Sequence, residues 1–224
     1  MTTTTPTPAD TGIACTLCLV RHGETDWNVA RRLQGHIDIP LNERGRAQAE
    51  ATARSLTGTR FSALYCSDLA RARQTAAAIT RRYPMPETTD ARLRERHYGM
   101  FQGLTYDEAA RRHPEFYRRF KARELDFAFA ERGESLHAFA ARIRAALHDI
   151  ALRHRGEQVL VVTHGGVLDI AYRIAAGREL ESARDFPIPN AALNWIEHQP
   201  AGWRLLAWAD ERHLEDSLDE LPNG

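Results

Sequence analysis

The chain has 224 residues, of which 43% are hydrophobic and 27% charged, and its 30 basic and 30 acidic side chains cancel. Those proportions suit a soluble chain that can bury a core without disulfide or metal staples, organised as one domain with a small elaboration. The zero balance excludes the chain-wide basic excess that nucleic acid or a membrane surface demands, so neither is expected as a partner. An anionic ligand would have to be held by local cations. Those are nearly all arginine, because Lys121 is the single lysine. A GxxxxGK phosphate loop is therefore absent, and Schiff-base chemistry would fall to Lys121 alone.

Residues 1–12 are mostly Thr and Pro without apolar periodicity, and a disordered tail is expected there. Cys15 to Val20 is an apolar run followed by Arg21-His22-Gly23. Cys15 and Cys18 have redox or zinc spacing. On a strand, however, positions three apart face opposite sides, and no second pair exists to complete a zinc site. Both are read as small buried side chains. Three cysteines in all, no apolar run of membrane length and no signal-like N-terminal pattern point to a reducing, cytoplasmic setting.

Asn42 is expected to cap a helix running to about Leu56. Phe61 to Cys66 is a second apolar run. It is followed by Ser67-Asp68 as a cap and by Leu69, Ala72, Ala76 and Ile79 at helical spacing. Residues 99–133 are rich in Arg and aromatics and predict a helical insertion, either a lid or pocket wall or a plain packing element. Leu136, Phe139, Ala140, Ile143, Leu147 and Ile150 predict a helix after Ser135, with His137, His148 and His154 on its solvated side. Val159 to Val162 is a third apolar run, followed by Thr163-His164-Gly165-Gly166. Ala191–His198 and Trp203–Trp208 read as an antiparallel edge pair joined by a turn at Pro200-Ala201-Gly202. That exposed edge hints at a homodimer. Residues 215–224 are expected to fray, which leaves 13–214 as the folded domain. Buried strands alternating with helices predict an α/β fold: a three-layer α/β/α sandwich with a mostly parallel sheet and an antiparallel edge strand.

In a parallel sheet, ligands bind beyond the carboxyl ends of the strands. Two strands here end in a His-Gly pair, His22-Gly23 and His164-Gly165, so both imidazoles fall on one edge. Arg21 adjoins His22, and Arg71 sits in the first turn of the helix after the second run. A single histidine after a strand is more often structural than catalytic. Two of them on the functional edge with two guanidiniums favour chemistry instead. Guanidiniums bind phosphate bidentately, and an imidazole kept neutral by nearby positive charge can serve as a nucleophile.

Leu19-Val20-Arg21-His22-Gly23-Glu24-Thr25-Asp26-Trp27-Asn28 resembles the signature of the histidine phosphatase, or phosphoglycerate mutase-like, superfamily. The resemblance continues through Leu33-Gln34-Gly35, Pro40 to Gly45, Ser67 to Thr75, Arg94 to Gly99 and Thr163 to Gly166, in the family's order, across roughly residues 16 to 210. It implies a phosphoglycerate mutase-like fold with the helical insertion over the site. It also implies a phosphohistidine mechanism: His22 attacks phosphorus, and Arg21, Arg71 and His164 hold the phosphoryl oxygens. Glu95 then protonates the leaving oxygen and later takes a proton from water. Thr25, Asn28, Gln34, Gly35, Arg96, His97, Tyr98 and Gly165, within the same motifs, are implied as substrate contacts. Glu24 and Arg73 suit orientation or ordinary ion pairing equally. Asn190, after two prolines and before an apolar strand, could point an amide into the site, but a turn role is favoured.

The resemblance implies a small phosphorylated substrate and neither metal nor cofactor, and it leaves two activities. The favoured one is a phosphomonoester hydrolase; the other is a cofactor-dependent phosphoglycerate mutase, which would need 2,3-bisphosphoglycerate. Mutases carry Gln-Gly-Leu-Asn-Lys after the Glu-Arg-His-Tyr-Gly motif, where this chain has Gln102-Gly103-Leu104-Thr105-Tyr106. They carry Thr-Gly where it has Gln34-Gly35, and His-Gly-Asn where it has His164-Gly165-Gly166. Their paired insertion arginines have only Arg118-Arg119 and Arg123 as stand-ins. A non-catalytic sensor would lack a catalytic residue, and none is missing.

Overall fold

The structure is a computed structural model that describes residues 13–214; both expected tails, 1–12 and 215–224, lie outside the described residues. In chain order the elements are β1 (Cys15–Arg21), α1 (Asp26–Val29), α2 (Glu43–Ser55), β2 (Ala63–Cys66), α3 (Ala70–Arg82), β3 (Glu87–Thr89), α4 (Tyr106–Arg112), α5 (Pro114–Lys121), α6 (Leu136–Arg153), β4 (Gln158–Thr163), α7 (Gly165–Ala176), β5 (Leu193–Gln199) and β6 (Gly202–Asp210). The six strands form one sheet in the order β3-β2-β4-β1-β5-β6. The first four of that order run parallel, while β5 pairs antiparallel with β1, and β6 with β5.

Alternation along the strands sorts the apolar side chains into two layers. Leu17, Leu19, Val159 and Val161 pack with Phe139, Ile143 and Leu147 of α6 and Leu168 and Ala171 of α7. Cys18, Val20, Leu160 and Val162 pack with Ala53 of α2 and with Ala72, Ala76 and Ile79 of α3. The sheet is thus covered on both faces, which is why its parallel strands read as unbroken apolar runs. Cys15 and Cys18 fall into opposite layers, as their spacing on a strand requires. Burial pushes the Cys15 thiol up to about 11 and Cys66 up to about 12, so neither is a ready nucleophile.

Helix starts follow the sequence in two of three cases. Asn42 Oδ1 accepts from the Gly45 amide at 2.8 Å, and Ser135 Oγ from the Ala138 amide at 3.1 Å. Ser67 and Asp68 do not cap α3 as expected. Its N-cap position is Leu69, and Asp38 Oδ1 accepts from the Ala70 amide at 2.7 Å instead. Ser67 Oγ is taken by His164 and Asp68 by Arg94. Another departure is His154, which is not solvated: it closes α6, with Nε2 at 3.0 Å from the Tyr65 hydroxyl and Nδ1 at 2.6 Å from Glu157. Strand β3 was not anticipated, because all three of its residues are polar and exposed.

The insertion builds a small core of its own. Phe101, Phe127 and Phe129 are buried together, with Tyr98, Tyr117 and Phe120 packed against them. Its outer surface supplies one wall of a cavity at the carboxyl end of the sheet.

Candidate active site

The register of β1 against β4 sets Arg21 opposite Thr163, so the residues that follow, His22 and His164, leave the sheet side by side. The His22 amide extends the ladder by donating to the Thr163 carbonyl at 2.9 Å. Both side chains are buried, and their rings lie 5.2 Å apart, edge to face. The turn after His22 is possible because two glycines meet: a Cβ on Gly23 would stand 2.3 Å from the Gly45 carbonyl oxygen. The Gly23 amide donates to Thr75 Oγ1 at 3.1 Å, tying this turn to α3.

His22 Nδ1 lies 2.7 Å from the carbonyl oxygen of Gly23. A carbonyl only accepts, so Nδ1 must carry the proton and Nε2 keeps its lone pair. Burial first, then the charges of Arg71 and Arg21, drive the His22 pKa well below the ordinary histidine value. His164 is shifted the same way by burial, then Arg71, then His22 and Arg21. The pair is therefore neutral near pH 7, and His22 offers an unprotonated nitrogen.

The two guanidiniums are held rigidly by backbone carbonyls. Arg21 Nη1 donates to Ile188 at 2.6 Å; Arg71 Nη1 and Nη2 donate to Ile37 and Gly35 at 3.0 and 2.8 Å. Burial lowers the Arg71 pKa to about 10 and pulls Arg21 down as well. Among the described residues neither has a carboxylate hydrogen-bonded to it. Arg21 Nε, Arg71 Nε and His164 Nδ1 are buried without a hydrogen-bond partner among the described residues. Buried charge without an anion is costly, so this cluster is chemically suited to an oxyanion such as a phosphoryl group.

Glu95 approaches from the loop before the insertion. Its Oε1 accepts from the Arg96 amide at 2.7 Å and its Oε2 from the Gly166 amide, in the first turn of α7, at 2.9 Å. Glu95, Arg21, Gly165 and Gly166 share a cavity of about 500 Å³. Arg21 and Glu95 thus meet at one opening, and the buried His22, Arg71 and His164 lie behind its lining.

A family model described as the histidine phosphatase superfamily (branch 1) matches residues 17–211. The chain belongs to that superfamily. It is 40% identical to Phosphoglycerate mutase-like protein 4 of Arabidopsis thaliana over 206 residues, covering 90% of this chain and 87% of that protein. It is 41% identical to the Metal-independent phosphoserine phosphatase of the same plant over 200 residues, covering 88% and 82%. Among solved structures, Bacillus stearothermophilus YhfR superposes with a TM-score of 0.83 at 35% identity, covering 89% of this chain and 99% of that one.

Within this histidine phosphatase the expected contact residues divide into two groups. Tyr98, Arg96 and Gly165 line the cavity beside Glu95 and Arg21. Gln34 is buried with Oε1 unpartnered among the described residues. Asn28 Oδ1 accepts from the Thr25 amide and hydroxyl at 3.1 and 3.0 Å. The others serve the scaffold. The Thr25 hydroxyl is consumed in that capping box, and the Gly35 carbonyl aims Arg71. The His97 ring lies outside the cavity, against His36 at 4.7 Å, and its Nδ1 accepts from the Gly99 amide. Arg96 belongs to both groups: it lines the cavity, and its Nε and Nη2 brace the loop by donating to the Glu134 carbonyl. Glu24 takes an ion-pairing role, accepting from Asn42 Nδ2 at 3.0 Å and facing Arg44.

Asn190 is not merely a turn residue. Its Nδ2 donates to the His22 carbonyl at 2.9 Å and sits 3.4 Å from Asn28 Oδ1. Position after two prolines favoured a turn over an amide aimed at the site; the fold brings that amide to the His22 backbone.

Proposed function

We propose that the protein is a phosphomonoester hydrolase working through a phosphohistidine on His22, on a small phosphorylated metabolite. The observation that carries this is the His22 tautomer: Nδ1 is committed to the Gly23 carbonyl, leaving Nε2 as a lone pair in the field of Arg71 and Arg21, whose Nε atoms have no hydrogen-bond partner among the described residues. In the first step Nε2 forms a bond to phosphorus as the ester oxygen leaves with a proton from Glu95. Arg21, Arg71 and His164 neutralise the equatorial oxygens. In the second step water, giving its proton to Glu95, displaces phosphate from Nε2. No metal is required in this scheme, because the arginines supply the charge. The relative named a metal-independent phosphoserine phosphatase supports that reading and makes O-phosphoserine the first substrate to test.

Two structural details favour hydrolase over mutase. A mutase must hold a second phosphate, and the stand-in arginines are unsuited to it. Arg118 and Arg119 do not line the cavity, and Arg119 pairs with Glu124 at 2.6 Å. Arg123 does line it but donates to Asp169 at 2.7 Å. Gly166 also stands where mutases carry a larger residue, and a Cβ there would fall 2.1 Å from Glu95 Oε1, so the carboxyl group would have to move. The test is incubation of chelator-treated protein with O-phosphoserine, and separately with 3-phosphoglycerate, with and without 2,3-bisphosphoglycerate. Release of inorganic phosphate and an acid-labile, base-stable phosphoryl label are expected. Cofactor-stimulated formation of 2-phosphoglycerate with little free phosphate would make the protein a mutase.

A further inference from the structure

Glu95 stands where no ladder fixes it, because residues 95–98 belong to neither helix nor strand. Two amides hold its carboxyl group, and its backbone is held separately. The Glu95 carbonyl accepts from His36 Nε2 at 2.8 Å and, at 3.3 Å, from Arg142 Nη2. Arg142 braces this loop from α6, with Nη1 on the Arg92 and Arg94 carbonyls and Glu134 paired to Nη2. His36 reaches it from the segment between α1 and α2.

That segment has a second task. The Gly35 and Ile37 carbonyls take Arg71 Nη2 and Nη1, so one guanidinium spans the residues on either side of His36. Asp38 Oδ1 takes the Ala70 amide, which fastens the same stretch to the start of α3. Its backbone is pinned as well. The His36 amide donates to Gln102 Oε1 at 2.7 Å, and Gly35 adopts a φ of +53°, with a Cβ there falling 2.1 Å from the same oxygen. The His36 ring packs edge-on against His97 at 4.7 Å. A carbonyl only accepts, so Nε2 carries the proton, and burial lowers the His36 pKa, so the ring is neutral near pH 7. Gly35-His36-Ile37 therefore holds the phosphoryl-binding arginine with its backbone and the loop of Glu95 with its side chain.

We propose that His36 is a positioning residue that ties the backbone of Glu95 to the tripeptide aiming Arg71, so that the proton donor and the phosphoryl-binding cation keep one fixed relation. This rests on the hydrolase reading, in which Glu95 protonates the leaving oxygen. His36 does not line the cavity, so it acts through Glu95. Proton transfer requires donor and leaving oxygen within hydrogen-bond reach. A shifted Glu95 therefore slows esters that need protonation and hardly touches nitrophenyl phosphate. A shifted Arg71 would slow both kinds alike.

The experiment measures kcat/KM of the full chain for O-phosphoserine and nitrophenyl phosphate, together with inhibition by inorganic phosphate. His36→Ala should lower the ratio of the first ester to the second about tenfold. Inhibition by phosphate should change little, because the carbonyls that aim Arg71 belong to the backbone and remain. His36→Gln, whose amide can bring an N–H close to the place of Nε2, should restore most of the ratio, and the shorter His36→Asn should not. In a Glu95→Gln background, His36→Ala should leave the ratio unmoved, since no acid remains to be misplaced. A ratio unchanged by His36→Ala alone, equal losses on both esters with weakened phosphate inhibition, or a fall that persists in the Glu95→Gln background would overturn the positioning role and leave the hydrolase intact. Equal ratios in the Gln and Asn variants would overturn it too, and that comparison decides even where His36→Ala does not fold. Failure of the native chain to hydrolyse either ester or to label His22 would remove both readings.

Discussion

Glu95 and Gly166 share one space: the carboxyl group fills the volume that a side chain at 166 would need, with Oε1 2.1 Å from where a Cβ would stand and Oε2 2.9 Å from the Gly166 amide. The glycine is thus what lets a carboxyl group lie on the first turn of α7. Gly166→Ala should displace Glu95 and copy Glu95→Gln. Alkyl phosphates need their leaving oxygen protonated, whereas nitrophenolate leaves without help. Both variants should therefore slow O-phosphoserine far more than nitrophenyl phosphate, by roughly 10² in the ratio for Glu95→Gln. Equal losses on both esters would make Glu95 a binding group.

Removing the nucleophile has a different signature. His22→Ala should lose about 10³-fold or more in kcat, with no acid-labile phosphoryl label, because the remaining groups only bind. His164→Ala should lower turnover and still allow slow labelling of His22. The measurement is a rapid-quench trap with a radiolabelled ester. A label that survives in His22→Ala would place the covalent intermediate elsewhere.

Asn190 carries a third expectation. Its amide holds the His22 carbonyl, so it positions the nucleophile without touching phosphorus. Asn190→Ala should cost roughly tenfold in kcat with little change in KM, the split expected of lost orientation. Asn190→Asp should be worse, because it puts a negative charge where phosphate must come. A pure KM effect in Asn190→Ala would place the amide on the substrate.

How much of this was legible in the sequence depended on whether a residue's partner was local. Strands β1, β2 and β4 were visible because burial on both faces demands an apolar run, and α6 because one face must be apolar. The two His-Gly strand ends and Arg21 followed from that layout. Glu95 was legible only through its motif: it lies in a loop, and nothing in its spacing tells that the fold will set it on Gly166. Ser67 was misjudged for the same reason. A serine before a helix normally caps it, but here the hydroxyl is drawn 2.8 Å from His164, a residue 97 positions away. Asn190 offered either a turn or an amide aimed at the site, and only its packing against the turn after β1 decides between them.

The buried histidines also make an expectation about stability. His22 and His164 have pKa values well below the ordinary value of about 6.5, and His36, His198 and His213 are lowered by burial as well. Above that value both folded and unfolded chains hold these rings neutral, and they contribute no pH dependence. Below it the unfolded chain takes up protons that the folded chain refuses, so the unfolded state is favoured as pH falls. The carboxylates held by arginine, such as Asp68, Asp90 and Glu134, are shifted down from ordinary carboxylate values and titrate below this window. Tm should therefore fall steadily from pH 6.5 to pH 5 while staying level from pH 7 to 8. Inorganic phosphate should flatten the acid side, because an anion between Arg21 and Arg71 offsets the positive field that keeps His22 and His164 unprotonated. His164→Gln removes one of the two strongly shifted groups and should make the fall shallower. The check is a series of thermal melts across that range, with and without phosphate. A Tm that is flat or rises toward pH 5 would mean that these rings take up protons in the folded state, and the neutral nucleophile would go with it.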